Sequence, residues 1–234
     1  MIASAVAAVR EQIRRAAARA GRSPDEITLV AVSKTHPPEA VRAAFAAGLR
    51  DFGENKVQEA LPKVEALEDL RAQGLRWHLV GHLQSNKARR AATTFERIHS
   101  VDSAGLAVRL DRAAAEVGLA VPVLVQVELA GEESKSGLSE SAVLPALEAL
   151  RGLAHVRVLG LMTLPPYAED PERTRPYFRR LRALRDFAAE RGLLQGRELS
   201  MGMSGDFEVA IEEGATLVRV GTAIFGERAP TPRQ

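Results

Sequence analysis

One feature constrains this chain more than any other: eight short apolar runs alternate with stretches of helical spacing. The runs are "ITLVAVS" (27–33), "RDFGE" (50–54), "RWHLVGH" (76–82), "RIHSVD" (97–102), "PVLVQVEL" (122–129), "VRVLGLMT" (156–163), "RELSMG" (197–202) and "TLVRVG" (216–221). Between them lie patterns such as "PEAVRAAFAAG" (38–48), "AGLAVRLDRAAAEVG" (104–118), "AVLPALEALRG" (142–152) and "PERTRPYFRRLRALRDFAAERG" (171–192). Gly48, Gly118, Gly152, Gly192 and Gly214 stand where helices commonly close on a left-handed residue. Strict alternation implies a parallel sheet covered by helices. Eight units in 234 residues predict an α/β protein with a single (β/α)8 TIM barrel. A doubly wound open sheet competes, but no G-x-G-x-x-G turn follows the first run.

No linker-like stretch, internal repeat or composition shift divides the chain, so residues 1–234 are expected to form one domain. Residues 1–22 should form a helix packed on the barrel, and 227–234 a loose tail. The Arg-rich start has two readings, a transit-peptide-like segment or a packed helix; Ile2, Val6, Val9 and Ile13 recur at helical spacing. Without a continuous apolar span, the chain is expected to be cytoplasmic, with no membrane partner. The formal charge of +2 gives no reason to expect nucleic acid. Absence of cysteine removes disulfides, thiol nucleophiles and Cys-based metal sites.

In a barrel of this kind the chemistry gathers at the C-terminal ends of the strands. Lys34 stands at the end of the first run, in "LVAVSKTH", where it is either solvated or an amine nucleophile with a depressed pKa. "LSMGMSGDFEVAIEEGA" offers Ser200, Gly202, Ser204 and Gly205 before a short helix. That pattern reads as an anion cradle or as simple N-capping by Ser204. Gly221 and Thr222 follow the eighth run, where phosphate-binding barrels hold their phosphate. Arg219 sits inside that run and needs a partner: a carboxylate such as Glu54, or an acceptor atom on a ligand. An amine, a phosphate cradle and a fixed cation together suit one ligand, pyridoxal 5′-phosphate.

At these residues the chain resembles the pyridoxal phosphate homeostasis protein family. The resemblance runs from about residue 27 to 226 through seven ordered blocks: "AVSKTH", "FGENKVQEAL", "WHLVGHLQSNKARRA", "HSVDS", "VLVQVELAGEESKSGL", "GLMTLPPY" and "LSMGMSGDFEVAIEEGATLVRVGTAIFG". It implies a barrel of the alanine racemase N-terminal type (fold type III) and a Schiff base of the cofactor on Lys34. It also implies phosphate contacts from Ser200, Ser204, Gly221 and Thr222, Arg219 facing the pyridine nitrogen, and Asn55 in the same pocket. The family is regarded as a cofactor buffer or carrier without an established turnover reaction, so no catalytic residue is assigned. Apo forms of enzymes using this cofactor are the expected recipients, and the chain is expected to be a monomer. An enzyme is the competing function: an amino-acid racemase of the same fold, or a lysine aldolase acting on a sugar phosphate. Related racemases draw one base from a second domain, and this sequence ends at the barrel. Departures from the family's pattern are Lys56, Gly205 and Glu128, the last placed where it bears on cofactor release.

Other features carry both a plain and a functional reading. His78 and His82, four apart, are expected on one strand face, with His82 lining the pocket and no metal site between them. "NKARR" (86–90) reads as a solvated helix face or a phosphate contact. Met162, Met201 and Met203 read as core, and Tyr167 as a loop anchor. Lys135, in "GEESKSG", reads as a surface lysine or as a transient acceptor of departing cofactor.

Overall fold

The computed structural model describes residues 1–131 and 136–227. Nine strands appear: β1 (Thr28–Val32), β2 (Asp51–Glu54), β3 (Arg76–Leu79), β4 (Arg97–Val101), β5 (Val121–Glu128), β6 (Leu138–Ser139), β7 (Val156–Thr163), β8 (Glu198–Ser200) and β9 (Leu217–Val220). All pairings are parallel, and eight strands close a ring in the order β1-β2-β3-β4-β5-β7-β8-β9. The two-residue β6 lies beside the end of β5, at Val127 and Glu128. The closed ring excludes the doubly wound sheet, and each of the eight apolar runs is one barrel strand.

Closure follows from strands that are apolar on both faces. Alternate residues pack outward against the helices, as do Ala31, Phe52, Trp77, Val123 and Val218. The intervening ones meet inside the barrel, where Val30, Val80, Leu124, Met162 and Leu217 form a separate cluster. This period of two decides which side chains reach the mouth. Two register shifts, between Ile98 and Val101 on β4 and between Val123 and Leu124 on β5, bend the wall.

The principal helices are α1 (Ile2–Arg19), α2 (Pro38–Ala46), α3 (Val57–Ala66), α4 (Glu68–Arg71), α5 (Ala88–Thr94), α6 (Ala104–Ala115), α7 (Glu140–Leu150), α8 (Arg175–Glu190), α9 (Phe207–Glu212) and α10 (Thr222–Phe225). Helix α1 buries Val6, Val9 and Ile13, so the packed-helix reading of the N-terminus describes it. Arg19 ties it to α9 through Glu208 (2.8 Å) and Glu212 (2.7 Å). Among the described residues no helix is long and apolar enough to cross a membrane. "NKARR" lies on a short turn and the start of α5, with Arg89 and Arg90 exposed, which is the solvated face.

Some boundaries differ from the sequence expectation. Gly152 does not adopt the left-handed conformation that Gly48, Gly118, Gly192 and Gly214 do, because α7 ends on Arg151 in right-handed geometry. Strand β3 stops at Leu79 rather than residue 82, since Gly81 presses against the Asn55 backbone; a Cβ there would lie 2.3 Å from the Asn55 carbonyl oxygen. His82 therefore leaves the strand and does not share a strand face with His78. β8 ends early because Gly202 turns the chain at φ 91°.

Gly160 marks the tightest approach in the wall. It pairs with Glu198 across β7 and β8, and a Cβ there would lie 2.0 Å from the Glu198 carbonyl oxygen. Backbone cannot yield as a flexible side chain does. Gly160→Ala is therefore expected to cost about 3 kcal/mol or more in urea denaturation. A loss below about 1 kcal/mol would show that β7 and β8 can separate without penalty.

Candidate functional site

A cavity of about 650 Å³ opens at the C-terminal ends of the strands, a size that suits a small cofactor. Lys34, Asn55, Ser204, Arg219, Gly221 and Thr222 all line it, so six of the seven residues singled out in the sequence share one space. Lys34 arrives there by parity. Val30 and Val32 face the barrel interior, and Lys34 continues their side two residues past Val32. The next residue, Thr35, has φ 66°, left-handed backbone that a β-branched residue rarely adopts. Such strain persists only where the surroundings impose it.

The imposing contacts lie just outside the barrel wall. Ser33 Oγ donates to Glu54 Oε1 (2.7 Å), and Lys63 Nζ donates to the same oxygen (2.6 Å) and to the Ser33 carbonyl (2.8 Å). Glu54 is fully buried and Lys63 nearly so. This cluster clamps the residue that precedes Lys34. It also removes Glu54 as the alternative partner of Arg219, because Glu54 points outward toward α3 and pairs with Lys63 while Arg219 points inward. Lys56, by contrast, is exposed and pairs with Glu59 at 2.7 Å.

Across the mouth, Ser204 joins the last two loops. Its Oγ accepts from the backbone N–H of Gly221 (3.2 Å) and of Ala223 (3.4 Å). The capping alternative does not hold: Asp206 is the N-cap residue of α9, and its carboxylate accepts from Met203 N (2.6 Å). Gly202 allows the loop to fold so closely, since a Cβ there would meet Ala210 Cβ at 2.6 Å. The result is a hydroxyl held by two backbone N–H groups, with its own proton left to donate to an anion.

Ser200 takes a different place from the other six. It is completely buried and does not line the cavity. Its Oγ accepts from Arg219 Nη1 (2.5 Å) and lies 2.7 Å from His99 Nδ1. Its side chain is directed at Arg219 and His99 rather than into the cavity. Arg219 also donates from Nη2 to the Thr163 carbonyl (2.9 Å). Burial lowers its guanidinium to about 10, against the attraction of Asp206, so it stays cationic at neutral pH.

Around the rim, His82 lines the cavity as expected, with Nδ1 3.0 Å from Asp102 Oδ2 and 3.3 Å from Ser136 Oγ. His36 stacks on Phe225 (centroids 5.0 Å apart), and burial lowers its pKa. Glu128 also lines the cavity, but its two oxygens accept from Ala130 N (2.8 Å) and Gly131 N (2.7 Å), which shapes the loop that follows. Tyr167 is 91% exposed, so it is not a buried loop anchor. Met203 is likewise exposed at the mouth, whereas Met162 and Met201 are core. Lys135 lies outside the described residues.

A family model described as alanine racemase, N-terminal domain, matches residues 5–229. A pyridoxal phosphate homeostasis protein of Aquifex aeolicus (strain VF5) is 47% identical over 220 residues, covering 94% of this chain and 95% of that one. The chain belongs to the pyridoxal phosphate homeostasis protein family. A second member of the family, from Pseudomonas aeruginosa PAO1, is 48% identical over 228 residues, 97% of this chain and 96% of that one. Among solved structures similar to this family member is PipY of Synechococcus elongatus PCC7942 with PLP bound. It is 42% identical, with a TM-score of 0.86, over 97% of this chain and 100% of that chain. An alanine racemase of Clostridium difficile 630, 15% identical with a TM-score of 0.68, shares the fold over 95% of this chain and 56% of its own.

Proposed function

We propose that this cavity binds pyridoxal 5′-phosphate and that the protein buffers and delivers that cofactor in the cytoplasm. The observation that carries the reading is one of placement. Within a single cavity an amine, Lys34, lies on the first strand's end, and an anion cradle, Ser204 with Gly221 and Thr222, lies on the last two loops. The cation of Arg219 lines the same space. When bound, pyridoxal phosphate supplies an aldehyde that an amine takes up reversibly. Lys34 provides that amine. The Ser204 hydroxyl, fixed by the Gly221 and Ala223 N–H groups, would hold the phosphate together with Thr222, and Arg219 would donate to the ring nitrogen. Asn55 closes the cavity on the β2 side, where Gly81 fixes its backbone.

The carrier reading differs from the racemase reading in what happens to a bound amino acid. A cation at the ring nitrogen keeps that nitrogen unprotonated and weakens the cofactor's capacity to accept electrons. Apo forms of enzymes that use the cofactor are the expected recipients, and the protein acts as a monomer. In deuterated water, the loaded protein is expected to exchange no amino-acid α-hydrogen at enzymatic rates. Exchange at such rates would assign the racemase function instead.

Ser204→Ala tests the anion cradle. It removes a side chain that bridges the two loops, so affinity for pyridoxal phosphate should fall on the order of tenfold, the scale of one hydrogen bond to a charged group. Affinity for pyridoxal, which lacks the phosphate, should change little. An equal loss for both would place Ser204 in loop architecture alone.

A further inference from the structure

Arg219 is a buried cation whose direct side-chain and carbonyl partners are uncharged: the Ser200 hydroxyl and the Thr163 carbonyl. A charge in such a place needs compensation, or it neutralises. Asp206, on the same cavity, supplies part of it by attraction, and a second line of support runs through the barrel's interior. Beyond Ser200, His99 Nδ1 lies 2.7 Å from its hydroxyl, and His99 Nε2 lies 2.9 Å from His78 Nδ1. His78 Nε2 in turn lies 2.9 Å from Asp51 Oδ1, and Arg76 pairs with the same carboxylate at 2.6 and 2.7 Å. The path crosses from β9 and β8 to β4, which are not neighbours in the ring, and then steps along β3 to β2. It joins the cavity to the first residue of β2, at the opposite end of the strands.

We propose that Ser200, His99, His78 and Asp51 are positioning residues that hold Arg219 cationic and correctly aimed, through hydrogen bonds that all point one way. This rests on the cofactor reading for its consequence, though not for its geometry. The direction is fixed by the two ends. Arg219 can only donate and Asp51 can only accept, so with neutral imidazoles His99 Nδ1 is an acceptor and Ser200 turns its own proton to it. His99 then carries its hydrogen on Nε2 and donates to His78 Nδ1. His78 carries its hydrogen on Nε2 and donates to Asp51, which can only accept. Every bond is satisfied with both imidazoles neutral, whereas an imidazolium at His99 would turn the Ser200 proton away from the chain and break its single direction.

The electrostatics agree with this assignment. Burial holds His99 well below the usual histidine range, helped by His78, Arg219 and Arg97. Burial also lowers His78, against the pull of Asp51. Burial alone would raise Asp51, but the hydrogen bonds from His78 and Arg76 outweigh it and bring the carboxyl down to about 2. A carboxylate is thus maintained at one end of the chain and a guanidinium at the other. Aligned hydrogen bonds polarise one another, so the far carboxylate stabilises the near cation more than distance alone allows.

The test has two arms. In the first, nitrogen-15 spectra of the cofactor-free wild type at neutral pH should show both imidazoles neutral, each with its hydrogen on Nε2. A hydrogen on Nδ1 of His99, or an imidazolium at either position, would overturn the proposal whatever the cofactor does. In the second, His99→Phe and His99→Gln are titrated with pyridoxal phosphate while the absorption band is followed. His99→Phe breaks the chain, and the affinity should fall on the order of tenfold with a displaced band. His99→Gln, which can accept from Ser200 and donate to His78, should recover part of both. Arg76→Gln removes an ion pair from Asp51 without entering the chain and should leave the band in place. A folded His99→Phe protein with wild-type affinity and band would refute the positioning role. If the wild type binds no cofactor, the reading of the cavity fails, and the first arm still decides the chain. If His99→Phe does not fold, the wild-type spectra and His99→Gln decide it.

Discussion

Replacing Lys63 with methionine is expected to cost the protein about 3–5 kcal/mol, the scale for breaking a buried ion pair by removing one partner. Lys63 is the only ammonium bonded to Glu54 among the described residues, at 2.6 Å, and Glu54 is fully buried. Its second oxygen, Oε2, already has no hydrogen-bond partner among the described residues. Methionine fills much of the lysine's volume, so the loss comes from the uncompensated carboxylate rather than from a cavity. Urea denaturation should show a lower midpoint with an unchanged slope. The double variant Lys63→Met with Glu54→Leu should recover most of the stability, because the charge that suffered is gone. A single variant within about 1 kcal/mol of wild type would mean that water reaches Glu54 and the clamp is not buried in solution.

The same variant bears on the site. Ser33 is held by Glu54 and Lys63 from behind, and Lys34 and the strained Thr35 follow it directly. Loosening the clamp should lower cofactor affinity even where the double variant restores stability. Stability and affinity would then part company, which identifies the clamp's second task.

How far the sequence reveals this arrangement depends on the range of the interaction. The eight strands were legible because each is a compact apolar run bounded by helix signals. Lys34 and Arg219 were legible as mouth residues because the period of two carries Val30 and Val32 on to Lys34, and Leu217 on to Arg219. The Glu54–Lys63 clamp was not, since it forms between the outer face of β2 and helix α3, and strand parity alone does not say which helix residue will meet it. The placement of the Ser200 hydroxyl was not legible for a related reason. Its place after the seventh run suggested the phosphate loop, but β8 ends at Ser200 and keeps its hydroxyl inside the barrel. The link from His99 to Ser200 spans 101 residues and two non-adjacent strands. Inward-facing histidines in otherwise apolar strands were its one available signal.

Lys34→Ala is expected to abolish covalent retention of the cofactor while leaving the fold intact. Lys34 lies beyond the last residue of β1 and is only partly buried, so its truncation removes little packing, about 0.5 kcal/mol or less. Ser204, Gly221, Thr222 and Arg219 remain, and the variant should still bind pyridoxal phosphate reversibly and more weakly. Thermal unfolding of the cofactor-free variant should match wild type, and gel filtration after loading should strip the cofactor completely. Retention equal to wild type would mean that another amine holds it.

The direct measurement is borohydride reduction of the loaded wild-type protein followed by peptide mass spectrometry. Reduction fixes the bond between the aldehyde carbon and whichever amine carries it. The account predicts one principal modified peptide, with the added mass on Lys34 and no comparable signal in the Lys34→Ala variant. An adduct found mainly on Lys56, Lys63, Lys87 or Lys135, with Lys34 unmodified, would contradict it.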